Sequence, residues 1–536
     1  MRKKRILMVG ENHIAKSGFG LYTREILSRL HKCDKYEIAE LSCFNSGAHA
    51  PQVPWKVYPV MPFQDDPPEV HQKFGADGEN VFGKWRFDQV VLHFKPDIVF
   101  DIRDFWMLAY QENSVLRPYF HWVIAPTVDS IPQQLNWLQT FGSADVVLAH
   151  TDWAIDYMKS VGHNINAIKS VSDSVDTDVF KPINFSLTLN RAQHFIPENA
   201  FIIGAVMRNQ KRKLIPNLMG IVKNVRTLSK RTDAYLYLHT SYPEKAGWDI
   251  PSLLQEYDAY NFTLFTYYCQ ACKKAYASHW KGPKTVCPFC SQKSSNLPSV
   301  VHGLTDSQLK NVYNLFDIYL QYAICEGLGI PQLEAASCGV PICSVDYSAM
   351  SEVSTKLDGE KVSYALFKEM ETGAFRAIPN DSEAVQIILR HMSTSKETNI
   401  KRKKNARNKI LEHYSWDKTA DTYMEIFDSL PFKDMWDTPL EINPAAPVPQ
   451  GLSNREFVST IVTDVIKSPH LLRTTYIQNM IRCLDEGYLQ NGNNIVTFTK
   501  ETAKKNLEGL LNHKATLEQL RSGKALDNSR FLKYGT

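Results

Sequence analysis

Strand-length apolar runs alternate with segments of helical periodicity along most of the chain. RILMVG, at residues 5–10, is followed by a glycine-containing loop and by LYTREILSRLHK, whose apolar positions recur at helical spacing. Similar apolar runs lie at residues 98–100, 121–124 and 146–149, each followed by polar or helical sequence. This alternation is typical of a parallel β-sheet covered by helices.

A second series of the same kind follows the first. It begins with FIIGAVM (201–207), continues through residues 234–240, 317–323 and 341–345, and closes with a helical segment at 406–430. The simplest arrangement is an α/β protein with two doubly wound, Rossmann-like domains. Their strand ends would face each other across a cleft, where such folds bind ligands.

The two series also predict the domain boundaries. We predict an N-terminal domain over residues 1–185 and a C-terminal domain over residues 186–430, interrupted by an insertion at 242–297. A proline-rich stretch within residues 431–451 is typical of a linker, and residues 452–536 are predicted to form a helical C-terminal extension.

Composition narrows the class of protein. Of the 536 residues, 43% are apolar and 22% are charged, and the net charge of +4 is too small to indicate a nucleic-acid or membrane partner. The basic N-terminus precedes an apolar run too short for a signal peptide, and no stretch approaches the roughly 18 apolar residues of a spanning helix. We therefore expect a cytoplasmic protein without a transmembrane segment.

Four of the ten cysteines form two Cys-x-x-Cys pairs, Cys269 with Cys272 and Cys287 with Cys290. Fourteen residues separate the pairs, which is a spacing typical of a zinc ribbon. Four thiolates leave no coordination position for water, so the predicted zinc is structural. A rubredoxin-type iron centre is the alternative.

The stretch CEGLGIPQLEAASCGVP, residues 325–341, carries Glu326 and Glu334 on either side of a glycine-rich turn. Pro331 suits the first turn of a helix that ends near Gly339, and free amides at the start of that helix favour an anion. Glu334 would lie about one turn into the helix, where its oxygens could accept hydrogen bonds from vicinal hydroxyls. The alternative is an acidic loop before an ordinary helix, because acids in a first turn also interact with the helix dipole.

This stretch resembles the retaining GT-B glycosyltransferases of the family 4 type, whose pattern E-G-[FL]-G-[LI]-P-x-[LI]-E-A-x-[AS]-C-G-x-P it follows closely. The resemblance extends over about residues 4–430 and implies a GT-B fold. It implies that Glu334 binds the ribose of a nucleotide sugar and that Glu326 contacts the donor sugar near the reacting carbon. Backbone amides of four residues would bind the phosphates or the sugar: Gly327, Leu328, Gly329 and Ile330.

A basic segment matches the same family. GAVMRNQKRKLIPNLM places Arg208 and Lys213 where relatives have an arginine and, five residues later, a lysine. Two cations there would stabilise the charge that develops on a leaving nucleoside diphosphate. The alternative is ordinary solvated basic residues, which is one interpretation of the neighbouring Lys211 and Arg212.

The first domain supplies the remaining candidates. SGFGLYTREIL resembles the family's glycine loop beside the donor phosphates, which implies that Gly18 and Gly20 line the donor site. Many relatives carry a supporting histidine after a central strand; HWVIAPTVDSIP instead offers Asp129, either as a sugar-binding residue or as a loop cap. PDIVFDIRD offers three polar residues that could equally line the cleft or be ordinary loop polarity: Asp101, Arg103 and Asp104.

The resemblance implies a retaining transfer of a hexosyl or pentosyl unit from a nucleotide sugar, with UDP as the expected carrier, to a hydroxyl acceptor. The catalytic candidates are Glu326, Arg208, Lys213 and Asp129, although the family has no agreed protein nucleophile.

The ribbon leaves two alternatives open. Its lysines alternate with aromatic residues, a pattern that could grip nucleic acid or form the solvated face of any small zinc module. Together with the KRKKNARNK run at 401–409, it suits a phage-type DNA glycosyltransferase that acts on hydroxymethylated bases. The second alternative is a non-catalytic nucleic-acid-binding protein with a degenerate GT-B shell. The lysines concerned are Lys273, Lys274, Lys281, Lys284 and Lys293.

Overall fold

The protein contains two large β-sheets, each with a buried apolar core on both faces, and a smaller C-terminal unit. The computed structural model describes residues 2–15, 17–47, 53–114, 116–183, 191, 194–299, 302–433, 436, 450–465, 474–491 and 494–504. The two sheets are the two doubly wound domains that the apolar alternation predicts.

The first sheet is parallel throughout, in the order β3-β2-β1-β4-β5-β6-β7. Its strands are β1 (Lys4–Glu11), β2 (Tyr36–Cys43), β3 (Lys56–Pro59), β4 (Ile98–Asp101), β5 (His121–Ile124), β6 (Val146–Ala149) and β7 (Ala167–Ser170). Its helices are α1 (Gly18–Lys32), α2 (Pro68–Gly75), α3 (Lys84–Phe94), α4 (Phe105–Leu108), α5 (Leu135–Ser143) and α6 (Asp152–Ser160), with short 3-10 turns at Gly78–Phe82, Ala109–Asn113 and Arg117–Tyr119. The strand order reverses between β1 and β4, so the loops after these strands diverge and open a crevice.

The second sheet has a parallel centre in the order β10-β9-β8-β14-β15-β16. Its strands are β8 (Phe201–Val206), β9 (Ala234–His239), β10 (Thr263–Cys269), β11 (Ala275–Ser278), β12 (Lys284–Thr285), β13 (Ser295–Asn296), β14 (Ile318–Gln321), β15 (Ile342–Val345) and β16 (Glu360–Val362). A separate hairpin is formed by β17 (Tyr364–Lys368) and β18 (Phe375–Pro379). The helices are α7 (Ile215–Ser229), α8 (Ile250–Glu256), α9 (Asp306–Tyr313), α10 (Ile330–Ser337), α11 (Ser348–Lys356), α12 (Asp381–Met392), α13 (Lys396–His413) and α14 (Trp416–Ser429).

The cysteine insertion grows directly out of the sheet. The first residues of β10 pair in parallel with β9, whereas β11 and β13 pair with β10 in antiparallel fashion. The predicted insertion at 242–297 therefore includes α8 and a strand of the Rossmann-like sheet, and the four-cysteine ribbon proper spans Cys269 to Asn296. Because Cys269 ends β10, the ribbon projects from the carboxyl edge of the sheet.

Helix α14 returns to the first domain, although the predicted boundary groups it with the second. Trp416 and Tyr423 lie in the core beside α1, and the rings of Tyr22 and Tyr423 meet edge to face with centroids 6.1 Å apart. Lys4 also donates to the Phe427 carbonyl over 2.6 Å. The helix thus fastens the end of the second domain onto the first.

The C-terminal unit has a core of its own. Helices α15 (Asn454–Val465) and α16 (Thr474–Glu486) pack through Phe457, Ile461 and Cys483, and a hairpin of β19 (Tyr488–Asn491) and β20 (Asn494–Thr497) adds to them. The predicted helical character of this region is confirmed for its described part, with this addition. Residues 437–449 of the predicted linker and residues 466–473, 492–493 and 505–536 of the predicted extension lie outside the described residues. None of the described helices combines the length and apolar character needed to cross a bilayer.

Candidate active site

The candidate site lies where the carboxyl ends of β8 and β14 face the first domain. Lys213 follows β8 and Glu326 follows β14, and the backbone of Lys213 forms an isolated bridge with Ala323. A Cβ on Gly327 would lie only 2.3 Å from Thr127 Cγ2 of the first domain. The lack of a side chain at Gly327 therefore allows the two domains to approach closely beside the candidate residues.

Glu326 is buried at the centre of a polar cluster. Its carboxylate accepts hydrogen bonds from Lys213 Nζ, from Arg212 at 2.7 Å and from Gln321 Nε2 at 2.9 Å. Burial lowers the pKa of Lys213, and the neighbouring Arg212 lowers it further, so the charged form of Lys213 depends on the carboxylate beside it. The cluster concentrates two cations and one anion at the mouth of the glycine-rich turn.

Arg208 and Lys213, which the resemblance groups, have different carboxylate partners. The Arg208 side chain is 52% exposed and forms an ion pair with Glu244, with 3.2 Å between Nη2 and Oε2. Arg212, which the sequence left as a possible solvated residue, is instead a direct partner of Glu326. The sequence carries no signal for this contact, because nothing in the KRK run at 211–213 distinguishes one cation from the next.

Helix α10 forms as Pro331 predicts. Gly329 precedes it with φ of 87°, a conformation that favours glycine, and no side chain caps the first turn. No side chain therefore competes with an anion for the amides at this end, although Pro331 has no N–H and the Gln332 amide donates to the Gly329 carbonyl over 3.1 Å. Leu328 is buried in the core below, while Ile330 faces the first domain, with its Cδ1 3.3 Å from where a Cβ on Gly18 would lie.

Glu334 lies in this helix and is buried. The Tyr313 hydroxyl donates to its carboxyl over 2.6 Å. Burial raises the pKa of Glu334 to about 8, although the hydrogen bond from Tyr313 acts in the opposite direction. The carboxyl is thus held in one orientation by a single phenol.

The glycine loop of the first domain lies beside α10. Ser17 caps α1 by accepting a hydrogen bond from the Gly20 amide over 3.1 Å. A Cβ at Gly20 would lie 2.6 Å from the Ala15 carbonyl oxygen, so the turn has no room for a side chain there. Gly18 therefore brings backbone, with no intervening side chain, to the edge of α10, whereas Gly20 is required by the tight turn itself.

Asp129 lies close to the Glu326 cluster but is already paired. It accepts a hydrogen bond from Arg376 at 3.0 Å, from Ser130 at 2.8 Å and from the Cys325 thiol at 3.2 Å. Burial opposes ionisation, yet Arg376 and these donors lower the pKa of Asp129 below its usual value. The side chain is therefore a carboxylate and joins the first domain to β18 of the second.

The residues after β4 divide into two kinds. Asp101 and Arg103 form a fully buried ion pair, with 2.6 Å between Oδ2 and Nη2, and act within the core. Asp104 lies beside Thr127 and Asp129; burial raises its pKa to about 6 against the effect of the Thr127 hydroxyl, and Asp129 raises it further. Of the three residues, Asp104 is the one that reaches the cleft.

A buried histidine also lies near this side of the cleft, which sequence reasoning missed. His150 follows β6, and its Nδ1 is 3.2 Å from Asp173 Oδ1. Burial disfavours the charged ring, but the carboxylate of Asp173 outweighs it and raises the pKa of His150. No motif marks this pair, because its members are 23 residues apart and meet only through the sheet.

The four cysteines form a compact ligand set. Their sulfur atoms all lie within 4.8 Å of one another. Cys272 donates its backbone N–H to the Cys269 sulfur over 3.5 Å, and Phe289 donates to the Cys287 sulfur over 3.4 Å, which stabilises thiolates. Although burial opposes ionisation, such donors lower the pKa of Cys269 to about 6. The donor set fits a tetrahedral metal ion that accepts sulfur ligands.

Neither a protein-family model nor a curated protein sequence matches the chain. Solved structures do match it. Sucrose-phosphate synthase from Thermosynechococcus elongatus is 14% identical, with 80% of this chain and 99% of that chain covered and a TM-score of 0.54. HepE from Anabaena, in complex with UDP-glucose, is 12% identical, with 80% and 100% covered and a TM-score of 0.55.

A third similar structure is α,α-trehalose 6-phosphate synthase from Burkholderia multivorans, at 8% identity, with 80% of this chain and 97% of that chain covered and a TM-score of 0.52. At such low identities the likeness concerns the fold. The predicted fold class is confirmed: the chain has the two-domain GT-B fold of these glycosyltransferases, with a four-cysteine ribbon in its second domain and a largely helical C-terminal region.

Proposed function

We propose that the protein is a retaining glycosyltransferase that uses a nucleotide sugar, with UDP as the carrier. The observation that carries this proposal is the arrangement around α10. An uncapped helix start, two cations held by Glu326 and a buried carboxyl at Glu334 meet at one edge of the cleft. Amides and cations suit a diphosphate, and a carboxyl suits vicinal hydroxyls.

In this proposal each part of the donor has its own partners. Glu334 binds the ribose, and the amides of Gly327–Ile330, with the backbone at Gly18 and Gly20, bind the diphosphate or the sugar. Arg208 and Lys213 stabilise the charge that develops on the leaving diphosphate. Glu326 orients the sugar near its anomeric carbon. The charge on Lys213 that Glu326 balances before binding would then be shared with the phosphates.

Retention is proposed as a front-face displacement. The acceptor oxygen forms its bond to the anomeric carbon on the side from which the phosphate oxygen departs. The acceptor proton passes to the departing phosphate, so UDP carries away both the electron pair and the proton. No protein nucleophile is required, which accords with a Glu326 carboxylate that is occupied by cations on both oxygens.

The acceptor side is proposed to include Asp129 and Asp104. Asp129 would position the acceptor hydroxyl through its network with Arg376. Asp104, whose pKa is raised to about 6, would bind a second hydroxyl. DNA is the alternative acceptor that the ribbon suggests, because the ribbon projects from the edge of the sheet that borders the cleft.

We further propose that the four cysteines hold one structural zinc ion. Cys269, Cys272, Cys287 and Cys290 would fill its coordination sphere, so the metal would fix the ribbon and take no part in glycosyl transfer.

Slow hydrolysis of nucleotide sugars tests the donor half of the proposal. UDP-glucose and a panel of GDP-, ADP- and dTDP-sugars are incubated with the protein while nucleotide release is followed. Wild type is expected to release nucleotide from at least one donor, and Arg208→Ala to be slower by about 10²-fold. Lys211→Ala, three positions away and exposed, is the matched control.

Two results would contradict the proposal. If no donor is bound or hydrolysed, the GT-B shell is non-catalytic. If Arg208→Ala and Lys211→Ala behave alike, the site has been placed wrongly. Proton NMR of the first sugar formed from an α-linked donor tests retention, since an initial β-anomer would show inversion.

A further inference from the structure

The four-cysteine ribbon carries lysines that form no ion pair with any carboxylate in the described part of the chain. Between Asp258 and Asp306 the sequence has no acidic residue. Five lysines lie in this interval, and all five are exposed: Lys273, Lys274, Lys281, Lys284 and Lys293. Among the described residues no ion pair involves any of them. Zinc with four thiolates would carry a charge of −2, so the loaded ribbon would keep a net charge of +3.

The other basic run of the chain is engaged within the fold. On α13, Lys401 pairs with Glu397 at 2.9 Å and Lys409 pairs with Glu412 at 2.8 Å. Arg407 donates to the carbonyl oxygens of Phe180, Ser337 and Thr177. Lys401, Arg407 and Lys409 are therefore engaged within the fold, whereas the five ribbon lysines form no ion pair among the described residues, although the sequence grouped the two basic segments.

Exposed aromatic rings accompany the ribbon lysines. Phe289 and Phe195 are 40% and 60% exposed, and their ring centroids are 5.7 Å apart. The Lys274 ammonium lies 4.9 Å from the centroid of Phe289, and Val286, 52% exposed, belongs to the same knuckle. Large apolar rings exposed beside unpaired cations are the combination that stacks bases while neutralising phosphates.

The ribbon also lies beside the boundary between the domains. Gln308 of α9 donates to the Lys273 carbonyl over 2.8 Å, which anchors the first knuckle to the start of that helix. Two residues earlier, Asp306 is 3.9 Å from Arg24 of α1 in the first domain. A polymer on the ribbon would therefore run alongside the mouth of the cleft.

We propose that this ribbon face binds single-stranded nucleic acid. The lysines contact successive phosphates, and Phe195, with Phe289 behind it, stacks an unpaired base. Unpaired bases are needed because a duplex keeps its base faces inside the stack. The binding is a property of the ribbon and does not depend on the proposed glycosyl transfer.

Salt-dependent binding tests the proposal on the full-length protein. Fluorescence anisotropy with a labelled single-stranded DNA of about 20 nucleotides, longer than one binding site of this kind, is measured over a range of salt. Lys274→Gln/Lys284→Gln is expected to weaken binding about tenfold and to flatten the salt slope by about 1.4, or 0.7 per lost phosphate contact. Phe195→Ala is expected to weaken binding about tenfold and to leave the slope unchanged.

The control removes the same charge elsewhere. Lys401→Gln/Lys409→Gln should bind like wild type, and zinc content and melting temperature should be equal in all variants. Single-stranded RNA of the same sequence tests whether the ribbon face prefers ribose or deoxyribose. Duplex DNA is expected to bind more weakly than either single strand. UDP-glucose hydrolysis should be unchanged in the ribbon variants. Glu334→Gln, in contrast, should lose donor binding and bind the oligonucleotide like wild type.

Three results would overturn the proposal. The first is no binding at low salt, and the second is equal salt slopes in the ribbon variant and the α13 control. The third is ribbon-dependent binding to phosphatidylserine vesicles with none to the oligonucleotide, which would assign the face to a membrane surface.

Discussion

At the scale of single residues, Glu334 should make stability depend on pH. Burial raises its pKa from 4.5 to about 8, so the folded state holds the proton more tightly than the unfolded chain. Its stabilising contribution is therefore complete below the unfolded pKa of 4.5 and is lost as the pH rises through about 8. Relative to Glu334→Gln, which stays neutral, wild type should lose up to about 1.4 kcal/mol of unfolding free energy per pH unit in that window.

Urea unfolding of both proteins at a series of pH values measures this difference. The exposed Glu397→Gln is the matched control and should follow wild type at every pH. Parallel curves for wild type and Glu334→Gln would mean that the carboxyl is ionised throughout, and the Tyr313 hydroxyl would then be donating to a charged partner.

At the scale of elements, the ribbon should depend on its metal for its fold. Residues 269–296 contain only short strands and a few buried side chains, so four sulfur ligands are needed to hold the two knuckles together. A chelator is expected to expose this segment to protease while both sheets stay resistant. Cys287→Ser should reduce bound zinc from about one per chain to a small fraction.

Limited proteolysis with mass spectrometry locates the cuts, and elemental analysis counts the metal. Cys33→Ser is the matched control, since Cys33 follows α1 of the first domain and is not one of the four clustered cysteines. Cleavage elsewhere, or zinc retained by Cys287→Ser, would contradict a four-thiolate site. Iron found in place of zinc would change the identity of the proposed metal but not its four cysteine ligands.

At the scale of the whole molecule, Arg376 provides one of the links between the two domains. It bonds Asp129 of the first domain at 3.0 Å and Glu369 of its own hairpin at 2.8 Å, and the adjacent Phe375 amide donates to the Ile131 carbonyl. Arg376→Ala would leave Asp129 without its cation. Since Asp129 is 32% exposed, we expect a loss of about 1–3 kcal/mol in unfolding free energy, less than for a fully buried pair.

The loss should be larger at neutral pH than in acid. Arg376 lowers the pKa of Asp129, so its contribution is present above the usual pKa of aspartate and disappears as the pH falls through the lowered value. X-ray scattering should show a larger radius of gyration for the variant. The control, Lys361→Ala, removes an ion pair with Asp346 inside the second domain and should change neither the pH dependence of stability nor the radius of gyration. An unchanged radius of gyration for Arg376→Ala would mean that other residues maintain the contact between the domains.

Local sequence by itself determined the elements and the four-cysteine cluster. Apolar alternation marked both sheets, because a buried parallel strand needs a continuous apolar run wherever it lies. Pro331 indicated the start of α10, since a missing amide donor is a property of a single residue. The spacing of the cysteines fixed the ribbon, because two residues between thiols close a knuckle without help from the rest of the chain.

Only the tertiary structure decided which charges meet. Arg212 lies on Glu326 while Arg208 pairs with Glu244, and the sequence shows four similar cations in one short run. Asp129 pairs with Arg376, which is 247 positions later in the chain, and α14 packs on the first domain. Such partners are set by strand order and domain closure, and ion pairs over these separations leave no local periodicity. The sequence therefore determined which elements and clusters this protein is built from, and the fold determined which of its cations have a carboxylate partner and which, on the ribbon, form no ion pair with the described residues.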